Sequence, residues 1–244
     1  MISYVTFTDK GDRPVNEDSV GAFQKEDSYC FILCDGLGGH GMGDVASNCV
    51  KETFEEEFSA LNSEGCDEFL PLTFQKAQDL LLGEQILQHA KFKMKTTAVA
   101  LLLAGGVVRI GHIGDSRCYA FSKRRVVFRT LDHSVPQMLV LSREIKEKEI
   151  RNHPDRSIVL RALGTQWDED QEYEIQKEKK IDRFKAFLLC SDGFWELIDE
   201  KNMEICLKTS CSVDEWVDKM VKIVRKNGEG KNMDNFSAVA VWIK

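Results

Sequence analysis

The sequence predicts an α+β fold in which antiparallel β-sheets pack together beneath a cover of helices. Three observations support this fold class: many short β-branched or apolar segments, helical periodicity confined to a few stretches, and short connections typical of hairpins. The 244 residues suffice for one domain with a large core and are too few for two full-sized domains. We therefore expect a single domain spanning residues 1–244.

Eight segments have the composition of β-strands, because each is apolar or β-branched and is bounded by glycine, aspartate or serine. Gly105-Gly106 and Lys123-Arg124 fall where hairpin turns would connect neighbouring segments, which predicts antiparallel pairing and a meander in the middle of the chain. The eight segments are residues 3–8, 28–34, 97–104, 107–112, 117–121, 126–130, 186–190 and 236–243.

Helical periodicity appears between and after these segments. Residues 44–61 form one amphipathic helix, and residues 68–90 form a second that we expect to be interrupted near Pro71 and Gly83. These two helices supply apolar faces that cover a sheet.

A third helix begins at Ser212, whose hydroxyl and the carboxylate of Glu215 match a capping box. The charged residues 142–152 have only a thin apolar stripe, so we expect a short helix on a mobile surface excursion.

The charge balance excludes several classes of partner. With 33 basic and 40 acidic residues the net charge is −7, which disfavours nucleic acid and anionic membranes. The apolar run 97–106 is about half as long as a bilayer-crossing helix, and the first residues lack a basic region followed by an apolar stretch. We expect a cytoplasmic protein.

The cysteines and histidines point away from a zinc protein. None of the eight cysteines forms a C-x-x-C pair, so we expect free thiols, with zinc binding a weaker alternative. The five histidines form no zinc-binding motif, so any metal here is expected to be held by oxygen rather than by nitrogen or sulfur.

Acidic residues recur where predicted strands end. Two near-identical runs, F-I-L-C-D-G and F-L-L-C-S-D-G, end in Asp35 and Asp192, and two further strand ends carry Asp115 and Asp234. Any one of these aspartates alone is most simply a turn residue. Together with Glu17-Asp18 they would crowd one rim of a sandwich, where like charges destabilise the fold unless a cation neutralises them.

Ligation by oxygen alone is typical of Mg²⁺ or Mn²⁺, and two such ions about 3.5–4 Å apart suit in-line displacement at phosphorus. Arg13, four residues before Glu17, suits bidentate binding of a phosphoryl group, or else forms a surface ion pair. His40, in a glycine-rich loop after Asp35, is a candidate proton donor to the leaving group, or else a surface histidine.

The glycines of this loop also match G-x-G-x-x-G, at Gly36, Gly38 and Gly41. Dinucleotide binding requires an acid at the end of a second parallel strand about 20 residues later, whereas Glu55 to Glu57 fall inside a predicted helix. We interpret the match as coincidental and keep a nicotinamide-dependent oxidoreductase as the weaker enzymatic alternative.

The sequence resembles the metal-dependent Ser/Thr protein phosphatases of the PP2C (PPM) type, in particular the compact bacterial ones. The resemblance runs from Thr8 to Val241 through blocks that occur in the family's order. They are G-D-R-P-V-N-E-D-S at 11–19, D-G-L-G-G-H-G-M-G-D-V-A-S at 35–47, K-T-T-A-V-A at 95–100, G-H-I-G-D-S-R at 111–117, L-D-H-S at 131–134, L-R-A-L-G at 160–164, C-S-D-G-F-W-E at 190–196 and D-N-F-S-A-V at 234–239.

The resemblance implies a sandwich of two antiparallel sheets flanked by helices on both sides, with metals in a channel at one end and a flap at about residues 135–162. It also implies roles for individual residues. Asp35 would bridge two ions. Asp192 and Asp234 would complete the first metal site, and Glu17 and the Gly36 carbonyl would complete the second. Asp18 would accept hydrogen bonds from metal-bound waters, and Asp115 together with Asp192 would hold a third, weaker metal. Arg13 would bind the phosphate group, and His40 would be the general acid.

The activity implied is hydrolysis of phosphoserine and phosphothreonine in proteins by direct attack of a hydroxide that bridges two Mn²⁺ or Mg²⁺ ions. The expected partners are phosphoproteins, with an opposing Ser/Thr kinase, and the expected state is a monomer that contacts neither nucleic acid nor membrane. A catalytically silent phosphoprotein-binding module with the same fold is the alternative from another class.

Overall fold

Two antiparallel β-sheets packed face to face form the centre of the computed structural model, which describes residues 2–38, 41–62, 65–167 and 172–243. The strands are β1 (Ile2–Asp9), β2 (Asp18–Lys25), β3 (Ser28–Asp35), β4 (Ala98–Ala104), β5 (Val107–Ile113), β6 (Arg117–Ser122), β7 (Arg125–Arg129), β8 (Glu174–Ile175), β9 (Lys179–Lys180), β10 (Ala186–Cys190) and β11 (Phe236–Ile243). One sheet has the order β1-β11-β10-β6-β7, and the other has the order β2-β3-β4-β5-β8, with β9 also paired to β5.

Helices cover the outer face of each sheet. They are α1 (Gly43–Ala60), α2 (Phe69–Leu87), α3 (Val135–Leu141), α4 (Asp192–Trp195), α5 (Glu200–Thr209) and α6 (Val213–Gly228), with 3-10 turns at Glu147–Asn152 and Ile181–Arg183. The helices α1 and α2 pack on the sheet that contains β3 and β4, and α5 and α6 pack on the sheet that contains β10 and β11. The predicted sandwich with helices on both sides is confirmed.

The central strands are apolar along their whole length because both of their faces are covered. In β3, Phe31 and Leu33 face the opposite sheet and contact the cluster that includes Phe187 and Val239, while Ile32 faces α1 and α2. A strand buried on both faces therefore shows no alternation in sequence.

All eight predicted strands are present, and both predicted hairpin turns connect paired strands, β4 to β5 and β6 to β7. The predicted meander is wrong, because β5 and β6 lie in different sheets. The chain crosses from one sheet to the other at residues 114–116, so this short connection lies at one end of the sandwich.

Two of the helix predictions, the interruption of the second helix and the helix over 142–152, differ from the structure. The helix α2 continues through Pro71 and Gly83, because Pro71 lies in the first turn, where a backbone N–H has no partner inside the helix. The predicted helix over 142–152 is wrong, since α3 ends at Leu141 and only a 3-10 turn follows at Glu147–Asn152.

The predicted cap of α6 is present: the Ser212 hydroxyl accepts a hydrogen bond from the Glu215 backbone N–H at 3.1 Å. The Glu215 carboxylate reaches back to the backbone N–H of Cys211 at 2.7 Å, one residue earlier than the capping-box pattern implies. All eight cysteines are free thiols, as predicted. Among the described helices, none is long and apolar enough to cross a bilayer.

A buried ion pair ties the start of β6 to the segment after β7. The Arg117 guanidinium donates two hydrogen bonds to Asp132, from Nε at 2.8 Å and from Nη2 at 2.6 Å. The same guanidinium lies 3.4 Å from the centre of the Trp195 ring. Both charged side chains are almost fully buried, so each needs the other to offset its lost hydration.

We expect Asp132→Ala to lower the free energy of unfolding by about 3–5 kcal/mol, because it leaves the Arg117 charge buried and unpaired. The measurement is urea unfolding followed by tryptophan fluorescence. As control, Arg225→Ala removes an exposed ion pair with Asp9 and should change the value by at most about 1 kcal/mol. Equal effects of the two substitutions would contradict the prediction.

Candidate active site

A cleft of about 720 Å³ opens at the end of the sandwich where several strands finish in acidic residues. Its floor is acidic, with one arginine and three residues of the segment 135–162 at its edge. The lining residues are Arg13, Pro14, Val15, Glu17, Asp35, Gly36, Leu37, Gly38, Asp115, Ser157, Ile158, Val159, Asp192 and Asp234. Distant parts of the chain thus meet in one place, as the strand-end pattern predicts.

Strand pairing brings the first two aspartates together. Asp18 opens β2 and Asp35 ends β3, and the two residues are direct partners in the antiparallel ladder. The neighbouring Thr97 fixes the Asp35 backbone, since its N–H donates to the Asp35 carbonyl at 2.8 Å and its hydroxyl accepts from the Asp35 N–H at 3.2 Å. Asp35 lines the cleft, whereas Asp18 lies behind it and is only 7% exposed.

A serine links the two sheets beneath the cleft. The hydroxyl of Ser191, between β10 and α4, donates to the Asp18 carboxylate at 2.9 Å and accepts from the Ser237 backbone N–H at 2.9 Å. Ser191 therefore holds Asp192 beside β11, while its hydrogen bond reaches across to β2.

Asn235 holds the loop before β2 in place through its side-chain amide. Its side-chain oxygen accepts from the Glu17 backbone N–H at 2.8 Å, and its amide group donates to the carbonyls of Lys10 and Val15. These bonds place Glu17 and Arg13 next to Asp234, to which the Arg13 guanidinium donates at 2.8 Å.

Two glycines of the loop after Asp35 make room for a carboxylate. A Cβ atom at Gly38 would overlap the Glu17 carboxylate, and one at Gly43 would lie 2.8 Å from a Glu17 oxygen. Close approach of Glu17 thus explains Gly38 and Gly43, whereas Gly36 lies against the Gly43 backbone and Gly41 has a φ of +75°, which glycine adopts readily. The strands paired with β3 are both antiparallel, so β3 does not belong to a parallel dinucleotide-binding unit.

Asp115 follows β5 and is 3% exposed. The Trp195 indole N–H donates to the Asp115 carbonyl at 3.0 Å, and the same indole ring stacks on the buried Arg117. The buried ion pair between Arg117 and Asp132 therefore supports the backbone that presents Asp115 to the cleft.

Burial and mutual repulsion oppose ionisation of these carboxyl groups. Burial is the main cause that raises the pKa of Asp35, Asp115 and Asp192, and the charges of neighbouring carboxylates raise it further. Burial also raises the pKa of Glu17, and it raises the pKa of Asp18 to about 7 even though serine hydroxyls hydrogen-bond to that carboxylate. Among the described residues that line the cleft, Arg13 is the one cation, which is too little positive charge to keep all of these carboxyl groups ionised.

The donor set fits hard divalent cations. The ligand atoms offered by this cleft are carboxylate and carbonyl oxygens, which suit Mg²⁺ or Mn²⁺. Asp18 Oδ1 is buried and has no hydrogen-bond partner among the described residues, as expected for an oxygen that faces water held by a cation. The residues present therefore fit the metals predicted from the sequence.

The structure brings together every predicted site residue that it describes. Arg13, Glu17, Asp35, Gly36, Asp115, Asp192 and Asp234 line the cleft, and Asp18 lies directly behind Asp35. His40, the predicted general acid, lies outside the described residues. The positioning roles of Ser191, Asn235 and Trp195 were missed, although each stands within three residues of a predicted aspartate, which is the signal that marks them.

Comparisons with known proteins match this chain to one protein family. The family description "Protein phosphatase 2C" matches residues 11–236. The serine/threonine phosphatase stp of Listeria welshimeri is 33% identical over 245 residues, covering 96% of this chain and 93% of that protein. The serine/threonine protein phosphatase PstP of Mycobacterium tuberculosis is 29% identical over 236 residues, covering 96% of this chain and 44% of that protein.

Solved structures show the same arrangement of sheets. The crystal structure of serine/threonine phosphatase Stp1 from Staphylococcus aureus has a TM-score of 0.90 at 28% identity, covering 100% of this chain and 96% of that chain. The catalytic domain of serine threonine protein phosphatase PstP, solved in complex with two manganese ions, has a TM-score of 0.82 at 25% identity, covering 99% of this chain and 97% of that chain.

We expect the metal-free protein to lose stability as the pH rises from about 4 to about 7. A carboxyl group whose pKa is raised in the folded state binds more protons there than in the unfolded chain, where an aspartate titrates near about 3.9, so ionisation favours unfolding across this window. Asp18→Asn should reduce this loss by at least about 1 kcal/mol. The measurement is urea unfolding at several pH values in the presence of a chelator.

The matched control is Asp218→Asn, which changes an exposed aspartate on α6 and should leave the pH profile as it is in the wild type. A wild-type profile that rises over this pH window would contradict the prediction.

Proposed function

This chain belongs to the protein phosphatase 2C family, and we propose that the acidic cleft is the site where it hydrolyses phosphoserine and phosphothreonine in proteins. The chain is a protein Ser/Thr phosphatase by its family and by its named relatives. The observation that supports the location is the convergence of carboxylates from four strand ends with Arg13 in one cleft.

We assign the cation-binding roles from the family resemblance, onto residues that line the cleft. Asp35 at the centre of the carboxylate group would contact two cations, with Asp192 and Asp234 completing one position. Glu17 and the Gly36 carbonyl would complete the other, and Asp115 with Asp192 would hold a third, weaker one. Divalent cations bound there supply an activated water molecule and neutralise negative charge on the phosphoryl group. The proposed ions are Mn²⁺ or Mg²⁺, as supported by the manganese complex of PstP.

The chain's own residues bind and orient the substrate. Arg13 is half-exposed at the mouth of the cleft, so its guanidinium is able to exchange its hydrogen bond with Asp234 for two parallel bonds to phosphoryl oxygens. Asp18 would hold water behind Asp35 through its Oδ1, which has no hydrogen-bond partner among the described residues. His40 is proposed to protonate the departing serine or threonine oxygen, since an alkoxide leaves poorly without a proton.

The rest of the proposal concerns the molecule as a whole. We propose one phosphatase domain over residues 1–244, in which residues 135–162 form a flap that contributes Ser157, Ile158 and Val159 to the cleft. The substrates are phosphoproteins, and we further propose a monomer that opposes a Ser/Thr kinase in the cytoplasm. The eight free thiols support a reducing compartment, and the net charge of −7 disfavours nucleic acid and anionic membranes as partners.

The central test is phosphate release from a phosphothreonine peptide. Thorough chelation of divalent cations should abolish turnover, and added Mn²⁺ should restore it, because the one cation among the described lining residues is Arg13, and a guanidinium does not activate water as a metal ion does. Peptide binding without phosphate release in Mn²⁺ would instead favour the silent binding module. Turnover that survives chelation would reject the metal-dependent scheme.

We expect Asp35→Asn to lower kcat in saturating Mn²⁺ by at least about 100-fold, because it disturbs both proposed cation positions at once. The measurement is steady-state hydrolysis of the same peptide, with urea unfolding to verify that the variant folds. Asp218→Asn on the exposed face of α6 is the matched control and should keep wild-type turnover. Near-wild-type activity of Asp35→Asn would exclude the bridging role.

A further inference from the structure

A second group of potential ligands lies on the other side of the Asp115 loop. His112, near the end of β5, His133, just after β7, and Glu174, in β8, together offer two imidazole nitrogens and a carboxylate oxygen. These three ligand atoms lie within 4.8 Å of one another. Among the residues that the structure describes, this is the one group of three or more histidine, cysteine, aspartate or glutamate side chains whose ligand atoms lie so close together.

Strand pairing and ring stacking build this group. His112 and Glu174 are direct partners in the antiparallel ladder between β5 and β8, so their side chains leave the sheet on the same face. The imidazole rings of His112 and His133 stack with their centres 4.7 Å apart. His112 is fully buried and His133 is 8% exposed, so water does not compete freely for their nitrogens.

The hydrogen bonds of His112 leave one nitrogen available. Its Nε2 lies 2.7 Å from the Leu131 carbonyl oxygen, which only accepts, so Nε2 carries the proton and donates. The lone pair is then on Nδ1, which is buried and has no hydrogen-bond partner among the described residues. A backbone carbonyl that fixes the imidazole in this way is typical of histidines that bind metals.

His133 contributes Nε2, which is also buried without a good hydrogen bond in the described part of the chain, although it lies 3.3 Å from a Glu174 oxygen. Its Nδ1 accepts a hydrogen bond from the Gly114 backbone N–H at 3.2 Å. Ligation through Nε2 would place the His133 proton on Nδ1, where it would face the Gly114 N–H, so the ring would have to turn away from Gly114 when the metal binds. The Glu174 carboxylate, 44% exposed, is free to move the remaining distance.

From this geometry we propose that His112 Nδ1, His133 Nε2 and the Glu174 carboxylate bind a transition-metal ion of the Zn²⁺ or Co²⁺ class, separately from the acidic cleft. Two imidazoles and one carboxylate are a ligand set that suits zinc and that Mg²⁺ disfavours. Ligand atoms around a four-coordinate zinc are about 3.3 Å apart for bonds of roughly 2.0–2.1 Å, so binding would draw these atoms closer than the 4.8 Å within which they now lie.

The test uses Co²⁺ as a spectroscopic probe on the intact protein in a large excess of Mg²⁺, which favours the oxygen ligands of the cleft. Wild-type protein should bind Co²⁺ with the intense visible bands of a four-coordinate site, and Zn²⁺ should displace it. Glu174→Gln removes the charged ligand from a half-exposed position, and we expect it to weaken binding at least about tenfold.

Two controls separate this site from other cation sites. Glu229→Gln alters an exposed glutamate directly after α6, which packs on the other sheet, and should leave the spectrum and the Co²⁺ affinity unchanged. Asp35→Asn alters the acidic cleft and should retain the intense bands, which keeps this test independent of the proposed phosphatase mechanism. The proposal is overturned if Glu174→Gln titrates like the wild type, if the wild type gives only weak six-coordinate bands, or if the bands disappear in Asp35→Asn.

Discussion

Repulsion among buried carboxylates at one end of the sandwich is the constraint on which the rest of the structure depends. Asp35, Asp115 and Asp192 are held where burial and neighbouring charges raise their pKa values. A fold that only needed stability would place such groups in water. In this chain, hydrogen bonds and a buried ion pair instead hold the carboxyl groups close together. A site for divalent cations requires such a cluster of carboxylates.

The scaffold meets this constraint through neutral polar groups rather than through basic ones. Ser191 and Asn235 hold the backbone of the acidic segments without placing a permanent positive charge among the carboxylates. The buried guanidinium of Arg117 is paired with Asp132 and acts through Trp195 on the Asp115 backbone. Arg13 stays half-exposed at the rim, where a phosphoryl group arrives.

Two groups of potential metal ligands with different donor atoms lie near the end of β5. Asp115 faces the oxygen-lined cleft, while His112, three residues earlier, faces a buried nitrogen-containing group with His133 and Glu174. The connection is direct, because the His133 backbone N–H donates to the Gly114 carbonyl at 2.9 Å and the Gly114 N–H donates to the His133 ring. An ion bound to the histidines would therefore lie next to a residue that is hydrogen-bonded to the loop that presents Asp115.

The sequence alone determined the eight main strands, the hairpin turns, the cap at Ser212 and the aspartates at strand ends, because turn chemistry and side-chain periodicity are set by neighbouring residues. Only the tertiary structure decided that β5 and β6 join different sheets and that Asp18 lies behind Asp35. It also brought Glu174 beside His112 and His133. These relations depend on strand partners and burial contributed by residues far apart in the chain, so no local pattern records them.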